Sequence, residues 1–269
     1  MNRDFKNKLS VLFIFATFLF FNASYAATPS EVGIIVLHGK GGSPNFPVLQ
    51  KFESKMLDKG YAVVLPRFPW GGKKGKADYS GNLKDAFEII SSEIIKLKQD
   101  GRKIIVLAGH SMGTPGAVAY AINHTDVDAL IGMAPGHFVG SNFHNDFTSF
   151  EVNKAKQMVA DGRGNETLNI EDYNSGNRRF KMTVKADDYL SFFDPNGPMN
   201  LGENLEKIGT TPFLWVAPNG DPVTQKGQAK EYFSKAPSNE KSKFVKIEAE
   251  HKNAPIKGVK VIHEWISDL

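Results

Sequence analysis

One serine in this 269-residue chain has the sequence context of a nucleophile. It is Ser111, in the pentapeptide Gly109-His110-Ser111-Met112-Gly113, which has the pattern G-x-S-x-G. An apolar run, 103–108, precedes the pentapeptide, and small and apolar residues typical of a helix follow it at 114–123. A sharp turn from strand to helix exposes a serine hydroxyl, and the two glycines avoid collisions in so tight a turn. The pattern predicts a serine nucleophile, but a motif this short also arises by chance. The prediction therefore depends on whether the sequence also offers the other parts of such a site.

A serine hydroxyl at neutral pH needs a base beside it. Of the seven histidines, His251 is the best candidate because it directly follows the last apolar run, 243–247. In a parallel sheet, the loops after the strands open on the edge where ligands bind. We therefore predict that His251 is the general base; a histidine on a surface loop is the alternative.

The imidazole in turn needs an acid that fixes its tautomer and stabilises its charged form. Asp221 follows the apolar run 212–217, one predicted strand before His251. Asp194, in the long segment upstream of that run, is the competing candidate. Asp221 is preferred because it lies at the same predicted sheet edge as Ser111 and His251.

A glycine-rich loop, His38-Gly39-Lys40-Gly41-Gly42-Ser43, follows the first apolar run. Glycines let backbone N–H groups approach a substrate, and such donors stabilise the oxyanion of acyl transfer. The N–H of Lys40 and the N–H of Met112, at a helix N-terminus, are the predicted oxyanion donors. A phosphate-binding loop is the alternative, but the spacing of neither the P-loop nor the dinucleotide motif is present.

Further residues are expected around the substrate. His38 and Gly39 belong to the donor loop and His110 to the turn at Ser111, and both histidines are expected to have structural roles there. His137 follows a predicted strand and is expected to line the pocket. No cluster of His, Asp or Glu has metal-ligand spacing, so we expect neither a metal nor an organic cofactor.

These side chains must be positioned by strands that alternate with helices. The apolar runs show no polar alternation, as in strands covered on both faces of a parallel sheet. Between the runs, apolar residues recur at helical spacing, for example in 83–97 and 256–266. This order predicts an α/β fold with a doubly wound, mostly parallel sheet of about six strands. The predicted strands are 33–37, 61–65, 103–108, 129–134, 212–217 and 243–247.

An insertion interrupts this alternation at about 136–200. It is far longer than one crossover requires. It contains several aromatic residues and a polar, glycine-rich middle, 161–177. We interpret it as a small cap or lid over the site; ordinary surface helices and loops at the sheet edge are the alternative.

The first 26 residues are predicted to be a secretory signal. Basic residues precede an apolar stretch, 11–21, and small residues before position 27 suit cleavage after Ala26. The mature protein, one domain over 27–269, is then periplasmic or secreted, and an uncleaved membrane anchor is the alternative. The chain has no cysteine, so the core must hold it together without disulfides.

The charge balance argues against some partners. Lys and Arg number 33 against 29 Asp and Glu, and three of these basic residues lie in the predicted signal. So balanced a surface gives no reason to expect nucleic acid binding, and we expect no stable membrane association after signal cleavage. A small acyl substrate is the expected partner, and oligomeric state is left open.

Taken together, the residues resemble a known family. The order Ser111, Asp221, His251, with His38-Gly39 in the first loop and the pentapeptide at 109–113, resembles the α/β-hydrolase superfamily over most of residues 33–269. Many members carry their lid where the insertion falls. We expect the chain to depart from the family in lacking two N-terminal antiparallel strands, which lie far from the chemistry.

The resemblance implies a serine hydrolase that forms an acyl-enzyme on Ser111, and ester hydrolysis is the expected activity. An acyltransferase or a peptidase with the same triad is the first alternative. A binding protein that keeps the fold is the second, although such proteins usually lose a triad residue, and all three are present here.

Overall fold

A six-stranded parallel sheet forms the centre of the computed structural model, which describes residues 27–174 and 178–269. The predicted signal lies outside the described residues. In chain order the strands are β1 (Val32–Leu37), β2 (Ala62–Val64), β3 (Gly72–Lys73), β4 (Lys76–Ala77), β5 (Ile104–His110), β6 (Ala129–Met133), β7 (Thr167–Asn174), β8 (Arg178–Lys185), β9 (Phe213–Pro218) and β10 (Lys243–Ile247). The central sheet has the order β2-β1-β5-β6-β9-β10. All its neighbouring strands are parallel, which confirms the predicted fold class.

Helices cover both faces of this sheet. They are α1 (Pro47–Leu57), α2 (Leu83–Gln99), α3 (Gly113–Ala121), α4 (Asn142–Ala160), α5 (Ala186–Phe193), α6 (Leu201–Leu205), α7 (Gln228–Phe233), α8 (Ala254–Lys257) and α9 (Val259–Ser267). Among the helices of the described ranges, none combines the length and the apolar composition that a transmembrane segment needs.

Successive residues of a strand point to opposite faces, so the sheet separates two cores. Ile34 and Val36 of β1 belong to the core shared with α1 and α9. Ile35 and Leu37 belong to the other core, shared with α2 and α3. Because both faces are buried, the strands are apolar without alternation, which is the pattern that predicted them.

The order of the strands reverses beside β1. The chain runs outward from β1 to β2 on one side and from β5 to β10 on the other. At such a switch point, the loops after the two adjacent strands diverge and leave a crevice at their carboxyl ends. The glycine-rich loop after β1 and the Ser111 turn after β5 therefore border the same crevice.

The insertion between β6 and β9 consists of α4, an antiparallel hairpin of β7 and β8, and α5 and α6. We call α4, the hairpin and α5 the cap. Its apolar residues, such as Val152, Ile170 and Phe192, belong to the same core as Leu37 and Leu107 of the sheet. The cap thus packs directly on the domain. The sequence does not predict the hairpin, because the segment 161–177, which contains β7, is polar and rich in glycine.

Candidate active site

Ser111 lies in a strained turn between β5 and α3. Its φ of 52° lies in the left-handed region, which side-chain-bearing residues seldom adopt. A Cβ on Gly109 would lie 2.3 Å from the backbone N of Thr114, and a Cβ on Gly113 would lie 2.1 Å from the carbonyl oxygen of Leu37. The two glycines of the pentapeptide are therefore required by close backbone packing, as the motif predicts.

Three side chains form a hydrogen-bonded series. Ser111 Oγ lies 3.0 Å from His251 Nε2, and His251 Nδ1 lies 2.8 Å from Asp221 Oδ2. Asp221 and His251 are both buried. Each of the three residues lies just beyond the carboxyl end of its strand, in the loops after β5, β9 and β10.

These contacts fix the tautomer of His251. An ionised carboxylate only accepts hydrogen bonds, so Nδ1 carries the proton and donates it to Asp221. Nε2 is then unprotonated and accepts the hydroxyl hydrogen of Ser111. The backbone N–H of Val223 donates to Asp221 Oδ1 over 2.8 Å and helps to hold the carboxylate. The arrangement can move a proton from serine to imidazole while the carboxylate stabilises the charge that results.

His110 supports the His251 loop from behind. Its Nε2 lies 3.0 Å from the carbonyl oxygen of His251, to which it donates. Burial lowers the pKa of His110 to about 3, so the ring stays neutral. A neutral imidazole in this place fixes the backbone of the loop and adds no positive charge beside the His251 ring, which becomes charged when it takes the serine proton.

His38 holds the glycine-rich loop in a similar way. The backbone N–H of Phe68 donates to His38 Nε2 over 3.1 Å, so the proton of the neutral ring is on Nδ1, which donates to the carbonyl oxygen of Gly39 over 2.9 Å. Gly42 N–H donates to the same oxygen over 3.0 Å. Burial lowers the pKa of His38 to about 4, which keeps this donor pattern at neutral pH.

The anchored carbonyl directs the amide of Lys40. Gly39 C=O and Lys40 N–H belong to one planar trans peptide and point in opposite directions. Because two donors hold the oxygen on the protein side, the N–H points away from them. Neither this N–H nor that of Met112 donates to any residue in the described part of the chain. Both amides are therefore free to bind an oxyanion.

A cavity of about 190 Å³ lies over these groups. Lys40, Ser111, Met112 and His251 line its base, and the cap supplies most of the remaining wall. Aromatic residues of that wall are Phe138, Phe143, Phe147, Tyr173, Tyr189 and Phe193. Across the described ranges, no group of three or more His, Cys, Asp or Glu side chains is arranged to hold a metal ion.

Comparisons with known proteins identify the fold. No protein-family profile and no curated protein matches this sequence. The solved structure of DcsB in complex with its substrate analogue matches with a TM-score of 0.66 and 17% identity, covering 91% of this chain and 93% of DcsB. A monoacylglycerol lipase from Paleococcus ferrophilus matches with a TM-score of 0.61 and 17% identity, covering 90% of this chain and 96% of the lipase. Est1E from Butyrivibrio proteoclasticus, with ferulic acid bound, matches with a TM-score of 0.56 and 16% identity, covering 90% of this chain and 91% of Est1E. The chain has the α/β-hydrolase fold.

Within this α/β-hydrolase fold, most predicted site residues lie together. Ser111, Asp221 and His251 are within hydrogen-bond distance in series, and Lys40 and Met112 line the same cavity. Asp194 instead forms an ion pair with Lys156 at 2.8 Å. It does not contact the imidazole that Asp221 holds.

Three of the four residues expected around the substrate lie outside the lining of the cavity. His38, Gly39 and His110 do not line the cavity, because their side chains or backbone support the loops from behind. His137 does line it. Its Nε2 donates to the carbonyl oxygen of Phe192 over 2.7 Å, so it also ties the loop after β6 to the cap.

Sequence reasoning missed two groups at the site. A Cβ on Gly136 would lie 3.0 Å from Ser111 Oγ and 3.6 Å from His251 Cε1, so this position keeps the nucleophile accessible. Asp172, on β7, lies 2.9 Å from the ammonium group of Lys40. No local signal marks either residue, because each acts on a partner far away in the chain.

Proposed function

We propose that this protein is an exported serine hydrolase that cleaves carboxylic esters through an acyl-enzyme on Ser111. The observation that carries the proposal is the series Ser111 Oγ–His251 Nε2–Asp221, with distances of 3.0 and 2.8 Å, below a cavity lined by two unpaired amides. That several matched structures are named esterases or lipases supports ester substrates.

In this mechanism, His251 takes the proton of Ser111 as the serine oxygen attacks the ester carbonyl. The N–H groups of Lys40 and Met112 bind the oxyanion, and the α3 dipole adds to the second contact. His251 then protonates the leaving alcohol, which departs and leaves the acyl group on Ser111. Water activated by His251 attacks the acyl-enzyme and releases the acid.

The test is Ser111→Ala with a short-chain p-nitrophenyl ester as substrate. We expect kcat/KM to fall by at least about 10³-fold, because the nucleophile is lost while the fold remains. A fluorophosphonate should label the unchanged protein at Ser111 and leave the variant unlabelled. Full activity of the variant would refute the serine assignment, and an unlabelled, inactive unchanged protein would favour a binding function.

Export is a separate part of the proposal and rests on the sequence of residues 1–26. Expression of the full chain should yield a mature protein that begins at Ala27. The test is N-terminal sequencing of protein from the periplasmic or culture fraction. An intact N-terminus in the membrane fraction would indicate an anchor instead.

A further inference from the structure

The side chain of Lys40 places an ammonium group in the wall of the cavity. Lys40 lines the cavity beside Ser111, and its side chain is only 13% exposed. Its Nζ lies 2.9 Å from Asp172 Oδ1 and 5.4 Å from the centre of the Phe193 ring. Among the described residues that line the cavity, it is the one lysine or arginine.

This ammonium group has more donors than its surroundings use. An ammonium carries three N–H bonds, and one of them is directed to Asp172. No other described residue accepts a hydrogen bond from Nζ. A donor that is mostly withdrawn from water loses free energy unless it finds an acceptor, so an acceptor in the substrate would bind here favourably.

The charges around Lys40 favour a neutral acceptor over a carboxylate. Asp172 offsets the positive charge of Lys40, and Glu171, which also lines the cavity, pairs with Arg179 at 3.0 Å. His144 adds no charge, because burial lowers its pKa to about 3. With no excess positive charge in the wall, the cavity can supply hydrogen bonds but little net attraction for an anion.

The position of Lys40 assigns the acceptor to the acyl part of the substrate. The leaving group must lie beside His251, which protonates it. The Lys40 ammonium instead contacts Asp172 and Phe193 of the cap and has no hydrogen bond to His251. Its backbone N–H is the proposed oxyanion donor, and a four-carbon stem separates Nζ from that backbone. The acceptor therefore lies several bonds from the scissile carbonyl.

We propose that Lys40 binds a neutral oxygen, of a keto or hydroxyl group, near the far end of a short acyl chain. The preferred substrates are then esters of short oxo or hydroxy acids, and plain alkanoate esters are poorer. The cavity of about 190 Å³ suits a short chain, and its aromatic walls suit the methylenes between the two oxygens. This inference rests on the proposed ester hydrolysis at Ser111.

The test compares p-nitrophenyl 4-oxopentanoate with p-nitrophenyl pentanoate. The two esters share the leaving group and the chain length and differ in one acceptor oxygen. Each kcat/KM is divided by the ester's rate with hydroxide, which removes intrinsic reactivity. We expect the protein to prefer the oxo ester by roughly tenfold or more, because a charged donor binds the added oxygen.

Lys40→Met removes the donor, and the preference should fall to about one. This variant leaves the buried Asp172 carboxylate without its charged partner, which can impair folding. The double variant Lys40→Met, Asp172→Asn removes both charges and should lose the preference equally. Lys156→Met is the matched control: it breaks the cap ion pair with Asp194, outside the cavity lining, and should keep the preference.

The outcomes separate the two proposals. The role of Lys40 is overturned if the protein hydrolyses both esters without preferring the oxo ester. It is also overturned if the preference survives in the double variant. Either result leaves the proposed ester hydrolysis intact. Loss of the preference in Lys156→Met would also overturn it. Failure to hydrolyse either ester, together with no fluorophosphonate label on Ser111, overturns the proposed function itself.

Discussion

Which nitrogen of His251 can act as a base depends on Asp221. The carboxylate accepts from Nδ1 at 2.8 Å, and this leaves Nε2 free to accept from Ser111. Asp221→Asn would present an amide group that can donate to Nδ1 and favour the opposite tautomer. We expect kcat to fall by about 10²- to 10⁴-fold with little change in the melting temperature.

The matched control for Asp221→Asn is Asp194→Asn. Asp194 pairs with Lys156 on the cap and is partly exposed, so its loss should change kcat less than about twofold. Steady-state kinetics on a p-nitrophenyl ester compares the two variants. A large loss in Asp194→Asn with none in Asp221→Asn would assign the acid to the cap.

His38 acts on the reaction through the peptide between Gly39 and Lys40. His38→Leu would remove one of the two donors to Gly39 O and leave only the N–H of Gly42, so the Lys40 amide would be held less firmly toward the oxyanion. We expect a loss of about tenfold or more in kcat with a smaller change in KM, since the contact strengthens only in the transition state. His38→Asn can retain a donor near the Nδ1 position and should recover much of kcat.

Stability must be measured beside these kinetics. His38→Leu also leaves the buried N–H of Phe68 without its acceptor, which costs about 1–3 kcal/mol. A purely structural role would lower the melting temperature of both variants and leave kcat of the folded fraction unchanged. Rescue of kcat by Asn and not by Leu is the result that identifies positioning.

The candidate nucleophile, base and acid could be predicted from sequence because each follows an apolar run. Their distances could not, and neither could the roles of residues with distant partners. The sequence predicts a structural role for His38, but its tautomer depends on Phe68, 30 residues away. The pair of Lys40 and Asp172 joins residues 132 positions apart. Such contacts form only when the cap lies on the sheet.

At the level of elements, burial decides what is predictable. The central strands are buried on both faces, and their apolar runs mark them directly. The β7–β8 hairpin has one exposed face: Leu168, Ile170 and Asp172 are buried, whereas Thr167 and Asn169 are exposed. Polar residues therefore dominate its composition, and the segment reads as a loop.

Helix α2 begins with a cap that can be tested on its own. Asn82 Oδ1 accepts from the backbone N–H of Lys84 at 2.9 Å, and Asp85 Oδ2 accepts from the backbone N–H of Asn82 at 2.8 Å. Asn82→Ala removes the first contact and should lower the free energy of unfolding by about 1 kcal/mol. Urea unfolding measures the change.

Esterase activity provides the control for the capping prediction. Asn82 does not line the cavity, so kcat and KM at a temperature where the variant is folded should be unchanged. The conservative variant Asn82→Ser keeps a capping oxygen and should recover most of the lost stability. Equal stability of the alanine variant and the unchanged protein would contradict a contribution from this cap.

On the scale of the whole molecule, the site depends on sheet topology. Parallel strands bring the loops after β1, β5, β9 and β10 to one edge, and the cap closes that edge from above. The sequence order of strands and helices predicts this edge. The contacts of the cap with the loops depend on tertiary packing between segments far apart in the chain, which local periodicity does not encode.

The same packing keeps four histidines neutral, two of them buried and two half-buried, and this predicts how stability depends on pH. Burial lowers the pKa of His38 to about 4 and those of His110 and His144 to about 3. Burial also lowers the pKa of His137 well below its ordinary value of 6.5. The unfolded chain therefore binds protons below about pH 6.5 that the folded chain does not.

Since the unfolded state binds more protons, the stability present above pH 6.5 falls as the pH falls toward 4. Each histidine contributes a slope of up to roughly 1.4 kcal/mol per pH unit. Urea unfolding at pH 7.5, 6.5, 5.5 and 5.0 measures the total slope. His110→Gln can keep a donor to His251 O without a titrating ring. The change in its free energy of unfolding per pH unit between pH 6.5 and 5 should therefore be smaller by up to roughly 1.4 kcal/mol, the contribution of one proton. A free energy of unfolding that stays constant from pH 7.5 to 5.0 would mean that these rings bind protons in the folded protein as they do in the unfolded chain.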